Sequence, residues 1–180
     1  MTLLQRNRGG SSVGSTHTDA EKVSGDEKAS NELSVQWFSL TDKVPIGEGR
    51  TGIVFAATFQ QSRVAVKVAM KTNSFTALDR ERKQYRKLEH LQGRCIPRIV
   101  AYHYGADEGF NGFMMELLRP MADQFDDWTA EEIASSEHSL KILEEQGRCL
   151  QNDLRPANFG KQESTGRVLV LDLEDLVPLR

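Results

Sequence analysis

Apolar positions along this chain follow two different periods. Between Val35 and Met70 they form short runs separated by glycines and by a Gln-Gln-Ser stretch, which predicts strands joined by two hairpin turns. Beyond this region the pattern switches between helical and strand-like spacing. The predicted elements are then a helix over residues 75–92, strands over 99–104 and 112–118, a helix over 129–146 and a buried strand within 168–175.

The order of these elements predicts an α+β fold with two lobes. Residues 1–34 are rich in Ser, Thr, Gly and charged side chains and have little to bury, so a disordered arm is expected there. Order is expected to begin near V-Q-W-F at residues 35–38. Residues 35–118 would then form a first lobe of antiparallel sheet and one helix, and residues 119–180 would form a second, helical lobe.

The composition narrows the class of protein. The chain has 180 residues, of which 38% are hydrophobic and 27% charged, and its formal net charge of -3 suits a soluble globular protein. No basic face for nucleic acid or an anionic membrane is expected, and no apolar run approaches a membrane span or a signal-peptide core. Cys95 and Cys149 predict free thiols in a reducing compartment. An intracellular protein, cytoplasmic or nuclear, is expected.

The first candidate for chemistry is the glycine cluster G-E-G-R-T-G at residues 47–52. Glycines let backbone N–H groups approach a phosphate without an intervening Cβ atom. The cluster lies between two strand-like runs, which disfavours a dinucleotide-binding turn, where a helix follows the strand. Two interpretations stay open at this point: an ordinary Gly-rich turn, or a hairpin folded over a nucleotide.

The second candidate is a lysine on an apolar strand. Alternation places the valines of residues 64–69 on one face and Lys67, between two alanines, on the other. An unpaired buried ammonium is costly, so Lys67 lies either on an exposed face or in a cleft whose small neighbours leave room for a flat ligand. In the next helix, Glu81 shares the apolar stripe of Leu78, Tyr85 and Leu88. Lys67 is its natural counter-ion, and a neighbouring Arg is the alternative.

A third group of polar residues lies further along the chain, in Q-N-D-L-R-P-A-N at residues 151–158. Asp153 could accept or orient a hydroxyl proton, Arg155 could neutralise a phosphate, and Asn158 could bind a metal through its amide oxygen. A predicted buried strand then ends at Asp172, a carboxylate suited to Mg²⁺. The alternatives are an ordinary polar turn for the first segment and a surface cap for the second.

Taken in order, these residues resemble the motifs of the protein kinase-like superfamily. The glycine cluster with Val54 is similar to the glycine-rich loop, V-A-V-K to the strand that carries the conserved lysine, and Glu81 to the glutamate of the family's helix C. F-M-M-E-L-L resembles the hinge, D-L-R-P-A-N the catalytic loop, and Asp172 the first residue of D-F-G. The resemblance covers roughly residues 40–180 and is nearest to divergent kinase-like proteins of fungi and other eukaryotic microbes.

The resemblance implies ATP and Mg²⁺ as cofactors, a bilobal fold, and a protein Ser/Thr hydroxyl as the phosphoryl acceptor. It assigns the catalytic roles to Asp153, Lys67, Glu81 and Arg155. It assigns the metal to Asn158 and Asp172. It assigns the nucleotide to Ile46, Gly47, Glu48, Gly49, Gly52, Val54, Ala65, Lys67, Met115, Glu116 and Leu118.

Several positions depart from the family pattern. Gln151 and Asn152 replace the His and Arg of the family's catalytic loop, so control through a phosphorylated activation loop is not expected. Glu174 replaces the Gly of D-F-G and adds a negative charge near the metal. Gly160 lacks the apolar side chain that usually underlies adenine, which predicts weak nucleotide affinity. The chain stops soon after Asp172, so the expected second lobe is incomplete, and its uncovered apolar underside is expected to attract a partner protein.

Three functions fit this pattern. The retained charged residues favour a protein Ser/Thr kinase. The incomplete second lobe, Glu174 and Gly160 favour a pseudokinase, a truncated domain that acts only as a binding module. The missing activation segment favours a small-molecule phosphotransferase of the aminoglycoside or choline type, although those enzymes usually have H-G-D where this chain has Q-N-D.

Overall fold

An antiparallel sheet and two helices make up most of the structure, so the predicted α+β class is confirmed. The computed structural model describes residues 34–35, 39–69, 72–104 and 111–179. The arm predicted for residues 1–34 lies outside the described residues except for Ser34, as do Trp37, Phe38 and Met70 of the predicted first lobe.

The described part of the chain alternates strands with two helices. Its helices are α1 (Thr72–Lys87) and α2 (Ala130–Glu145), and short 3-10 turns span Glu89–Leu91, Phe125–Asp127, Pro156–Asn158 and Leu173–Asp175. Its strands are β1 (Ser34–Val35), β2 (Thr41–Gly49), β3 (Gly52–Phe59), β4 (Ser62–Ala69), β5 (Ile99–Tyr104), β6 (Asn111–Glu116), β7 (Arg119–Pro120), β8 (Cys149–Gln151), β9 (Phe159–Lys161), β10 (Val168–Val170) and β11 (Leu176–Pro178).

The largest sheet has the strand order β1-β5-β6-β4-β3-β2. Its last five strands are antiparallel, and β1 pairs in parallel with β5. Both faces of the central strand β4 are buried. Its three valines belong to one apolar cluster, while Ala65 and Ala69 belong to another. This is the alternation expected of a pleated strand, and it places Lys67 on the face that is covered by α1.

Helix α1 covers one face of the sheet with the predicted apolar stripe. Leu78, Tyr85 and Leu88 are fully or almost fully buried, and the helix contacts β4 and β6. The helix begins at Thr72, three residues before the predicted start, and ends at Lys87. The remainder of the predicted helix, up to residue 92, is a 3-10 turn at Glu89–Leu91 followed by irregular backbone.

Helix α2 begins with a capping box. The Thr129 side chain accepts a hydrogen bond from the Glu132 backbone N–H, and the Glu132 carboxylate accepts one from the Thr129 N–H. Glu132 also binds Lys161 at 2.9 Å, which ties the start of α2 to β9. Ile142 and Leu143 are buried, and the helix packs against β8 and β10.

Two small sheets complete the fold, and the sequence pattern did not predict most of their strands. One has the order β10-β9-β7, and the other is the antiparallel pair β11-β8. Each of these strands has only two or three residues, which is too short for a two-residue period to be recognised. The β9–β10 hairpin turns at Gly166, whose φ of 72° is readily available only to glycine.

One buried cluster continues from the large sheet through α1 to α2 and the small strands. The division at residue 118 into two lobes therefore stays a prediction. Cys95 and Cys149 are free and buried within this cluster. Among the described residues, none of the helices has both the length and the apolar character needed to cross a membrane.

Candidate functional site

A buried ion pair joins the large sheet to α1. The Lys67 Nζ atom lies 2.6 Å from Glu81 Oε2, and both side chains are almost completely buried. β4 holds Lys67 between Val54 of β3 and Phe113 of β6 in the sheet register, while α1 presents Glu81 from its apolar stripe. The predicted partnership of Lys67 with Glu81 is therefore confirmed, and the alternative arginine partner for Glu81 is not used.

The electrostatics of this pair result from burial opposed by charge. Burial lowers the pKa of Lys67, but the carboxylates of Glu81 and Asp172 outweigh it and leave the pKa raised. Burial raises the pKa of Glu81 to about 6, and the Lys67 charge only partly opposes this effect. Glu81 Oε1 is buried and accepts no hydrogen bond from the described residues. Both side chains are ionised at neutral pH. Glu81 is the member of the pair that loses its charge when the pH falls.

Asp172 is the second acid that faces Lys67. Its Oδ1 atom lies 3.3 Å from Lys67 Nζ, and about 30% of its side chain is exposed, in contrast to Glu81. Its backbone is left-handed, with φ of 51° and ψ of 75°, a conformation that Asp tolerates better than most residues. The chain bends here, immediately after β10 and before the turn at Leu173–Asp175. Asp172 therefore presents a carboxylate that is accessible from outside.

The segment Q-N-D-L-R-P-A-N forms a loop between β8 and β9. Arg155 donates a hydrogen bond to the Asp153 carboxylate, and the Asn158 amide donates one to the Asp153 carbonyl oxygen at 2.9 Å. The Arg155 contact is the largest cause of a lowered pKa of Asp153. Asp153 therefore stays ionised, which suits it to orient a hydroxyl more than to take up a proton.

Gln151 links this loop to Asp172, a role that its departure from the family pattern did not predict. Its side-chain amide donates to the Asp172 carbonyl oxygen at 2.9 Å and to the Leu171 carbonyl oxygen at 3.3 Å. Its Oε1 atom accepts from the Asp153 N–H at 3.2 Å. One buried side chain thus fixes Asp153 relative to Asp172. The sequence did contain a signal for this role, because a glutamine two positions before Asp153 can both donate and accept hydrogen bonds.

The predicted glycine cluster forms the β2–β3 hairpin, and its glycines differ in their surroundings. A Cβ atom on Gly52 would lie 2.0 Å from the Val68 carbonyl oxygen, so the fold itself requires glycine there. A Cβ atom on Gly47 or Gly49 would have no neighbour within 4 Å. These two glycines are not required by packing, and they leave the backbone of β2 open to an approaching ligand.

Arg50 at the tip of this hairpin reaches the turn that follows Asp172. Its guanidinium lies 3.1 Å from Glu174 and 3.0 Å from Asp175. Glu174, predicted to add charge near a metal, is mostly buried at 7% exposure and is neutralised by Arg50. The Arg50 carbonyl oxygen also accepts a hydrogen bond from Ser74 of α1 at 3.4 Å. The hairpin tip is thus held at two places, by the turn that follows Asp172 and by the start of α1.

Five of the residues assigned to the nucleotide share the Lys67 face of the sheet: Gly47, Val54, Ala65, Lys67 and Met115. Glu48 and Glu116 are in register with Ile53 and Val64 on the opposite face. In the sheet register Ala65 pairs with Met115 and Val54 pairs with Lys67 and Gly47. The other assigned positions differ in exposure: Ile46 and Glu48 are exposed, Met115 and Leu118 are buried, and Glu116 is half-buried.

Two of the assigned positions have structural roles as well. The Glu116 side chain accepts hydrogen bonds from the Arg98 N–H and the Gln162 amide, so it is fixed within the fold. Leu118 packs against Gly160, where a Cβ atom would lie 2.8 Å from Leu118 Cβ. The apolar surface missing from Gly160 itself is thus supplied at this point by Leu118, with Leu171 beside it.

The oxygens of Asn158, which is buried, and of Asp172, which is partly exposed, suit a hard divalent cation held jointly with a ligand. Asn158 uses its amide N–H on Asp153, which leaves its amide oxygen as a donor, and Asp172 has one oxygen that does not contact Lys67. Within the described residues, no group of three or more His, Cys, Asp and Glu side chains could hold a metal alone. A Mg²⁺ ion is commonly bound by one or two protein oxygens plus substrate phosphates, so this set fits such a complex.

Comparisons with known proteins leave the geometry as the main guide. No protein-family model matches the chain. No curated protein matches it either.

Proposed function

We propose that this chain binds ATP with Mg²⁺ and transfers the terminal phosphoryl group to a protein Ser/Thr hydroxyl, as a divergent member of the protein kinase-like superfamily. The observation that carries the proposal is the buried Lys67–Glu81 pair, which faces the partly exposed carboxylate of Asp172. The glycine hairpin is joined by Arg50 to the turn that follows Asp172, so it lies beside this group. Protein kinases require a strand lysine paired with a helix glutamate and an acid that binds metal.

Each residue has a role that its surroundings support. Glu81 fixes the Lys67 ammonium, which is placed to bind the inner phosphates of the nucleotide. Asn158 and Asp172 would hold Mg²⁺, which when bound neutralises charge on the phosphates. Asp153, kept ionised, orients the acceptor hydroxyl, and Arg155 lies beside it. Catalysis of this kind depends on positioning and charge, and these side chains supply both.

A second candidate is a nucleotide-binding module without transfer. Two contacts favour it. Arg155 binds the carboxylate of Asp153, and Arg50 closes the hairpin on Glu174 and Asp175. Both contacts must open before a nucleotide and an acceptor can meet in the proposed orientation. The two candidates share nucleotide binding and differ only in turnover.

Nucleotide binding is tested by thermal unfolding of the full chain with ATP and Mg²⁺, with ATP and a chelator, and with Mg²⁺ alone. At about ten times Kd, the free energy of unfolding should rise by about 1.4 kcal/mol. For a chain of this size that is a shift of roughly 3–5 °C in Tm. Lys67→Ala and Asp172→Asn should remove the shift, while Lys83→Ala, which removes an exposed lysine of α1, should keep it. A folded protein without any shift would refute the proposal.

Turnover is tested with labelled ATP and a mixed peptide library containing Ser and Thr. Asp153→Asn removes the carboxylate charge without changing its shape, and Asp126→Asn is the matched control at an exposed position. Transfer that is lost in the first variant and kept in the second supports the kinase. ATP-dependent stabilisation without transfer supports the binding module.

A further inference from the structure

A groove lies on the side of α2 that faces the outside of the fold. It is a cavity of ≈ 490 Å³ between α2 on one side and β8 with the start of the Asp153 loop on the other. Leu150 and Leu154 line it and are 42% and 53% exposed, although large aliphatic side chains are usually buried. Val177 of β11 pairs with Leu150 and is also exposed, so the apolar surface continues across both strands.

The rim of the groove is acidic. Three glutamates of α2, at positions 137, 144 and 145, line it together with one cation, Lys141. Lys141 pairs with Glu145 at 3.8 Å, and among the described residues neither Glu137 nor Glu144 forms an ion pair within the lining. Both are exposed. The surface therefore combines an apolar floor with a net negative edge.

We propose that this groove binds a basic amphipathic helix from a partner protein. Leucine-type side chains on one face of such a helix would cover Leu150 and Leu154, and flanking Lys or Arg residues would meet Glu137 and Glu144. The lining residues of α2 extend over about two helical turns, which sets the length of the helix at roughly two to three turns. An exposed apolar surface with a polar rim is a common form of interaction site.

A second copy of this chain is a poorer occupant. A two-fold symmetric contact places a patch against the same patch of the other subunit. Here that would oppose the glutamates of one groove to those of the other, and like charges across an interface are costly. The negative rim therefore favours a positively charged partner over self-association.

Gln151 gives the groove a connection to the proposed active site. It lines the groove and also holds the Asp172 carbonyl oxygen and the Asp153 N–H. A helix seated on Leu154 and Gln151 restricts the loop that carries Asp153. This part of the inference rests on the proposed function: if ATP binds, the partner helix and ATP with Mg²⁺ should each increase the affinity of the other.

The docking test uses a labelled helical peptide of about 14 residues built from Leu and Lys, with the leucines on one face. Fluorescence anisotropy with the full chain, without nucleotide, should show saturable binding. The double variant Glu137→Lys/Glu144→Lys should lower the affinity about tenfold or more, and Leu150→Thr should lower it several-fold. The control Glu89→Lys/Glu163→Lys makes the same charge change at exposed positions outside the groove and should bind within about twofold of the parent.

Three results would overturn the proposal. The first is equal affinity for all protein variants, and the second is equal affinity for a peptide with Glu in place of Lys. The third is dimerisation of the chain by sedimentation that Leu150→Thr abolishes, because the occupant would then be a second copy. Repeating the titration with ATP and Mg²⁺ tests the coupling separately. Binding of the peptide without any response to ATP supports the groove and contradicts only its connection to the proposed active site.

Discussion

At the scale of single residues, the buried Lys67–Glu81 pair dominates the site. Glu81 is completely buried and leaves one carboxylate oxygen without a partner among the described residues. Such a group costs stability, because removing a carboxylate from water is expensive. Its presence therefore suggests a function. The neighbouring acids Asp172 and Glu174 raise the pKa of Glu81 further. We therefore infer that Glu81 serves to position the Lys67 ammonium and not to stabilise the fold.

The first prediction concerns the pH dependence of stability. The pKa of Glu81 is raised from 4.5 to about 6 in the folded chain, so its contribution to stability is present below pH 4.5 and is lost as pH rises through about 6. Relative to Glu81→Gln, the free energy of unfolding of the parent chain should fall by about 2 kcal/mol from about pH 4 to about pH 7.

Urea unfolding of both proteins across this range measures the difference, and Glu89→Gln is the control, because it makes the same change at an exposed position. A relative stability that rises with pH would show that the Lys67 charge, and not burial, sets the protonation of Glu81.

At the scale of secondary-structure elements, the glycines of the β2–β3 hairpin differ in role. One is required for folding, and two are not in contact with the rest of the described fold. Gly52 lies against the backbone of Val68, whereas Gly47 and Gly49 face open space. Sequence alone treats the three alike, because the spacing of glycines says nothing about which neighbour approaches. The distinction depends on how β3 and β4 are paired.

The second prediction follows from this difference. Gly52→Ala should lower the free energy of unfolding by more than about 2 kcal/mol, because its methyl group would overlap the Val68 carbonyl oxygen. Gly47→Ala and Gly49→Ala should change stability by less than about 0.5 kcal/mol but weaken stabilisation by ATP with Mg²⁺. Chemical unfolding and thermal shift give the two readouts. Normal nucleotide response in both alanine variants would exclude the hairpin as a phosphate-binding element.

The third prediction concerns the connection between β8 and the end of β10. Gln151→Leu removes three hydrogen bonds, to Asp172, Leu171 and Asp153, and should cost about 1–3 kcal/mol of stability. Stabilisation by ATP with Mg²⁺ should fall by more than this loss explains, because Asp172 is no longer held.

Gln124→Leu serves as the matched control, since Gln124 is exposed. A Gln151→Leu protein that is less stable but keeps the full ligand-induced shift in Tm would make Gln151 a purely structural residue.

At the scale of the whole molecule, the contact of Arg50 with Glu174 and Asp175 joins parts of the chain that are distant in sequence. It closes the tip of the glycine hairpin on the turn after Asp172. The Arg50 side chain is 69% exposed, and ion pairs made by exposed side chains contribute little to stability, so we expect this contact to act mainly on access to the proposed site.

The fourth prediction is that Arg50→Ala changes Tm little but speeds association of ATP with Mg²⁺. Loss of the guanidinium frees the hairpin to open, and stopped-flow fluorescence with a labelled ATP analogue measures the rate. Arg63→Ala is the control, since Arg63 is an exposed residue of β4 that binds Thr58. A large fall in Tm for Arg50→Ala would instead identify the contact as a structural clamp.

The sequence by itself determined the elements with long periodic patterns and the residues that carry charge inside them. The alternation around Lys67 and the stripe containing Glu81 predicted their pairing, because a buried charge requires an opposite partner. The strand that precedes Asp172 was predicted from its apolar run, but it ends at Val170, and residues 173–175 of the predicted strand form a 3-10 turn. The short strands β7, β8, β9 and β11 were not predicted, because two or three residues carry no period.

Only the tertiary structure decided which groups distant in sequence meet. It brought Asp172 to Lys67 and Glu174 to Arg50, pairs that are more than a hundred residues apart in the sequence. It also joined Gln151 of β8 to Asp172. It also showed that Gly52 is required by its neighbour and that the face of α2 beside Leu150 is uncovered by described residues. Local patterns specify which face of an element is apolar, but which elements meet is set by packing of the whole chain.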